Sequence, residues 1–482
     1  MTIDSMLQPP RRRGWTLGQR PTPRYLRLLS LMLLLATHHT TYAASQKVTP
    51  SLATSLNYSD NLFLNPHNRQ DDFILQVNPQ LNVATQGRRA NVVLDYQMQN
   101  LIFQDHAQYN DTKHQLATGL GTELVERTLF FDANAHYRQV ALSGNQIDDP
   151  LRLTANNAET DLFTYTLTPR LRREVGSVAV FEAHYSRGNV HYSETTLQNN
   201  NATTDAVGAK ISSGRQFRRW QWLVNYQHTQ NNIEEANKVS PTLERTLAES
   251  KHKLTRKSML ILRGGYESNQ YTSQSLQQEN AGSEWGVGFD LTPSSRTLLH
   301  ALIGERYFGQ TQEVDLSHRT ARSLYTLSYH EAVTTRNQLE SQAVITLNQL
   351  PSSITNDVLL NKTLAFKTTH QFRKTNITFE ITRLDSDNLN SGIGEQSDIY
   401  GTTWRWQLNR RSDVETKLKW IERALNSGSD YTDQATAEVS YIRKMQRQVE
   451  GRIFYAYLDQ LSSTPLYDYH RNLVGIVVNI TF

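Results

Sequence analysis

The stretch NLVGIVVNITF, Asn472 to Phe482, ends the chain and decides its fold. Counting back from Phe482, apolar Ile480, Val478, Ile476 and Val474 fall at every second position, with Thr481, Asn479, Val477 and Gly475 between them. Side chains of a strand alternate between faces, so a period of two predicts a β-strand with one apolar face. Soluble domains usually end in frayed polar tails. A strand that ends on a bare phenylalanine must pair on both edges, which points to a sheet closed on itself.

The same period recurs along the chain. Phe73, Leu75, Val77, Pro79, Leu81 and Val83 alternate with Gln76, Asn78, Gln80 and Asn82, and Trp285, Val287, Phe289 and Leu291 with Glu284, Gly286, Gly288 and Asp290. The segments run for about 11–15 residues against the usual ~5–6, and ~9–11 tilted residues suffice to cross a bilayer core. The connections alternate in length. Short turns are expected at Gln86–Ala90, Val125–Thr128, Arg172–Ser177, Phe217–Trp220, Thr255–Ser258, Thr292–Arg296, Asn409–Asp413 and Lys444–Arg447. Longer polar stretches lie between them, at Ser59–Asp72, Leu142–Glu159, Ser193–Thr204 and Ser386–Ser397. This layout predicts an all-β, up-and-down antiparallel transmembrane barrel with short periplasmic turns and long external loops. About 22 strands (range 18–22) satisfy the even number expected of such barrels, if Thr334–Gln349 is split into a turn and a strand at Gln338–Leu347. No soluble domain precedes the first strand near Val48, and no stretch reads as a plug.

Composition agrees with an exported barrel. The 482 residues include no cysteine, and mean hydropathy is −0.58. The longest apolar run, Leu28 to Ala36, is about half the ~20 residues of a spanning helix. It follows Arg11, Arg12, Arg13, Arg20, Arg24 and Arg27 and precedes the small residues Thr41 and Ala43, so residues 1–43 read as a signal peptide and 44–482 as the barrel. The leader holds six Arg and one Asp, so its removal takes the net charge from +4 to −1. That excludes a nucleic-acid partner argued from charge.

The tryptophans suggest where lipid begins. Trp220 and Trp222, and Trp404 and Trp406, share faces with Val, Tyr or Leu beside expected short turns, as an aromatic girdle requires. The opposite faces hold Asp95, Gln97, Gln99, Glu123, Lys210, Glu284, Asp290, Lys417, Lys419 and Arg452. A Lys or Arg facing lipid at mid-depth costs ~2–4 kcal/mol, so these line a wet lumen. No phosphate loop, GxSxG or HExxH is present, no cofactor is implied, and no enzyme is expected. The acidic pairs Asp71–Asp72 and Asp148–Asp149 fall in loops and read as solvated charges.

The stretches Val48–Leu64, Asp71–Val83, Leu94–Tyr137, Leu167–Ser186 and Ser212–Gln227 together resemble the exosortase/PEP-CTERM system-associated outer-membrane β-barrel family. The resemblance covers most of the chain after the leader. It implies a setting beside exopolysaccharide synthesis and carries over no functional residue. Two functions are expected from the whole: a porin-like conduit serving exopolysaccharide export, or a non-conducting scaffold whose loops hold polysaccharide or a protein partner. The terminal strand, with Phe482, Ile480, Val478 and Ile476 on one face, is similar to the signal read by the barrel assembly machinery of a Gram-negative outer membrane.

Overall fold

A computed structural model describes residues 45–141, 153–155, 159–194, 197, 200–233, 240–271, 280–341, 357–425 and 430–482. The expected leader, residues 1–43, lies outside the described residues. Twenty-two strands, β1 (Ser45–Ser59) to β22 (Tyr469–Thr481), form one sheet in which each strand pairs antiparallel with its neighbours in sequence. The sheet closes where β1 meets β22, in register from Ser51 opposite Thr481 to Ser59 opposite Leu473. Closure leaves no free edge at the seam, so the backbone's polar groups there find partners inside the wall, as a lipid-spanning sheet demands. The chain is therefore an outer-membrane β-barrel, crossing with strands. No described helix is long and apolar enough to cross a membrane.

The alternation read from the sequence sets the two faces. On β2 (Asp72–Gln86), Phe73 and Leu75 are exposed outward while Gln76 and Asn78 are buried inside. On β12 (Ala281–Ser294), Trp285, Val287 and Phe289 point out and Glu284 points in. On β22, Val474 and Ile476 are exposed and Leu473 is buried. Gly475 sits on the inner face at the closing seam, where a Cβ would collide with the Phe454 ring and the Asn57 side chain.

The eight short turns fall between strands, with the one expected at Arg172–Ser177 shifted to Gly176–Val178 because the strand before it runs on to Val175, and two more, Thr320–Arg322 and Phe372–Lys374, join them at the same end. Both described ends of the chain lie there too, where the Phe482 N–H donates to the Pro50 carbonyl oxygen at 2.9 Å. Two expectations need correction. The segment expected as a strand at Gln338–Leu347 begins as a short helix, α1 (Arg336–Ser341), and residues 342–356 lie outside the described residues. The stretch Ser386–Ser397 is mostly wall: β17 (Thr375–Asn388) and β18 (Gly394–Asn409) run into it and leave Leu389–Ile393 as the connection. Polar residues mislead there because a strand that rises above the lipid loses its apolar face.

The wall is uneven at one place. β13 (Thr297–Arg306) and β14 (Gly309–Arg319) are short and joined by Tyr307–Phe308. The register of β14 with β15 (Ser323–Thr335) runs only from Val314 opposite Tyr329 to Arg319 opposite Leu324. β15 continues upward paired with β16 (Val358–Gln371) alone, as far as Thr335 opposite Val358.

Candidate functional site in the lumen

Adjacent strands lie ~4.8 Å apart, so a barrel of 22 strands tilted by about 40° is about 45 Å across. Wall side chains cannot fill that width. Among the described residues, inward-folded segments occupy part of it near the end opposite the short turns.

The first joins β1 to β2. Leu62 and Leu64 pack in a buried apolar cluster with the wall residues Ile74, Leu101, Phe103 and Leu458. Burying each leucine contributes about 1.5–3 kcal/mol. The segment is tied across the closing seam. Asp60 accepts from the Asn472 backbone N–H at 2.6 Å and from its side-chain amide at 2.7 Å, and the Asn61 amide donates to the His470 carbonyl oxygen at 3.0 Å. Asp72, expected as a solvated loop charge, is buried at the base of this segment and accepts from the backbone N–H groups of Gln104 and Asp105. Asp148–Asp149 lie outside the described residues.

The second is α1, which leaves β15 and packs against β6 (Glu159–Val175), β7 (Ala179–Tyr192) and β8 (Ala202–Ser213) on another part of the wall. Glu340, 3% exposed, receives the Tyr192 hydroxyl at 2.7 Å and the Arg336 guanidinium at 2.8 Å. Burial works against the Arg336 charge, but Glu340 and Tyr192 beside it raise its pKa. The i,i+4 spacing of Arg336 and Glu340 places both on one helical face, a signal present in the sequence but overridden by the strand reading. Leu62 and Leu64 carried a signal too, as apolar residues inside a polar connection.

Below these segments the wall is charged and largely paired. Arg263 holds Glu249 and Glu313, each at 2.9 Å, Lys251 holds Asp290 at 2.9 Å, and Arg306 holds Glu267 at 2.6 Å. Arg245 pairs with Glu284, and Arg452 with Glu438 at 2.5 Å. Glu284 and Asp290 thus meet opposite charges two strands away, Lys417 and Arg452 meet Glu438 on the adjoining strand, and Gln99 is buried in the wall. The arrangement makes a polar inner wall on which these charges of both signs are paired.

The aromatic residues singled out in the sequence stand outside. Trp220, 52% exposed, donates its indole N–H to Ser250, and Phe217 contacts both Trp220 and Trp222 edge to face. Trp404 and Trp406 stack with centroids 6.2 Å apart. Both pairs lie beside short turns. Phe482, 65% exposed, stands at that same end with Ile476 above it on the outer face; Ile480 and Val478 continue that face by strand alternation.

No family model and no curated protein matches the chain. Solved structures do. The siderophore receptor PirA from Acinetobacter baumannii is 8% identical with a TM-score of 0.49, over 92% of this chain and 81% of that one. The FrpB iron transporter from Neisseria meningitidis (F5-1 variant) is 9% identical with a TM-score of 0.49, over 91% and 83%. The ferric enterobactin receptor (PfeA) in complex with BCV-L6 is 9% identical with a TM-score of 0.48, over 92% and 82%.

Proposed function

We propose that the chain is a porin-like conduit through the outer membrane, working beside exopolysaccharide export or surface assembly. The observation that carries the conduit is the wide lumen lined by paired charges and amides, a surface that water wets and that a sealed apolar core would not contain. The polysaccharide setting is supported by the family resemblance of Val48–Gln227. Outer-membrane lipid surrounds the barrel, and the assembly machinery that reads its last strand is its other expected partner.

Purified barrel in a planar bilayer should give stepwise ion conductance, with the inward-folded segments keeping it below that of an open tube of this strand number. A bilayer that stays silent at all voltages rejects the conduit. A non-conducting scaffold is then the reading left, and the inward packing of Leu62, Leu64 and α1 favours it. Deleting the connections on that side separates the two: lost surface attachment marks a scaffold, and added leakage marks a gated pore.

A further inference from the structure

The short-turn end of the lumen differs from the paired wall above it. Nine of the ten turns carry Arg or Lys between their strands, with basic pairs at Arg88–Arg89, Arg256–Lys257 and Arg410–Arg411, while Glu126 is the only acid among them. At one place the cations converge. A cavity of about 500 Å³ is lined by Arg296, Arg319, Arg322, Leu324, Thr369 and Gln371, from the turns and strand ends of β12 through β16. Among the described residues none of the three guanidiniums has a carboxylate partner, and no acidic residue lines the cavity.

Alternation settles which way the cavity faces. Arg296 shares its side of β13 with the buried Leu302 and Arg306, whereas Ile303, 59% exposed, faces lipid. Arg319 lies opposite Leu324, and Leu324 opposite Thr369, so all three share that inner side. His318, Tyr325, His370 and Phe372 form a row of ring contacts on the outer side. The arginines therefore open into the lumen, and lipid headgroups meet the rings.

We propose that this mouth is a binding site for an anionic solute entering from the turn side, one that carries carboxylate or phosphate groups on a polar chain. The proposal rests on the conduit reading and names the class of solute it admits first. Three forked, unpaired guanidiniums match planar carboxylates and phosphates in two-point contacts, and Thr369 and Gln371 can satisfy hydroxyls between the charges. The basic turns around the site raise the local concentration of anions at its entrance.

The full-length barrel in detergent micelles, titrated calorimetrically with trigalacturonate and with maltotriose as its uncharged counterpart, tests this. Trigalacturonate should bind, maltotriose should not, and the affinity should fall as salt is raised. The triple variant Arg296→Gln/Arg319→Gln/Arg322→Gln should lose about tenfold or more in affinity. Arg322→Gln alone, on a turn, should lose part of it, with folding of every variant checked by heat-modifiable mobility. Equal binding of maltotriose, or an unchanged triple variant, overturns the proposal. So does an effect seen only on phosphatidylglycerol-containing bilayers, which would make the arginines lipid contacts. Conductance without binding overturns this site and leaves the conduit standing; binding by a silent barrel does the reverse.

Discussion

Phe482 and Asn472 flank the part of β22 that closes the sheet and act at two ends of the same seam. Asn472 is held by Asp60 near the inward-folded segment, and the Phe482 N–H reaches Pro50 at the turn side. The Phe482 ring adds nothing to that backbone bond. It stands outward, so its value lies in lipid contact and in recognition by whatever inserts the strand. Phe482→Asp should keep the register yet place a charge where apolar surface is expected, and should lower assembled barrel in outer-membrane fractions severalfold. Deleting Phe482 should act in the same direction. Heat-modifiable mobility on gels reads the folded fraction, and unchanged levels in both variants would remove the assembly role.

At the scale of elements, α1 carries a buried ionic cluster that ties it to the wall. Removing one member of a buried pair costs about 3–5 kcal/mol because the other charge is left stranded. Glu340→Ala should therefore detach α1 from Tyr192 and raise single-channel conductance, while Tyr192→Phe, which leaves Arg336 paired, should raise it less. Equal currents in wild type and Glu340→Ala would mean that α1 does not restrict flow. The wall was legible in the sequence because each strand lies between lipid and water, and that boundary writes a period of two into residues such as Phe73 to Val83. The lumen contents were not. Leu62 and Arg336 are placed by residues far along the chain, including Leu458 and Tyr192, and no local pattern records such partners. The arginine cavity was illegible for the same reason, since its three residues come from separate turns that only the closed sheet brings together.

Over the whole molecule, cations gather at one rim and pair with acids along the lumen, so charge varies down the axis more than around the circumference. Backbone pairing varies in the other direction. The strand pair β14 and β15 shares a ladder only up to Val314 and Tyr329, and above it each strand is held from one side. A tube under strain gives way at its shortest join, so heating or chemical denaturation should tear this wall between β14 and β15 before it parts the seam of β1 and β22. Amide hydrogen exchange in Gly309–Glu313 and His330–Thr335 should run at least about tenfold faster than in Ser323–Tyr329. Uniform protection along β15 would show the join to be as sound as its neighbours. The unevenness gives the cylinder a hinge line that a uniform barrel would lack, so the rim nearest the α1 attachment can flex outward while the rest of the hoop stays rigid.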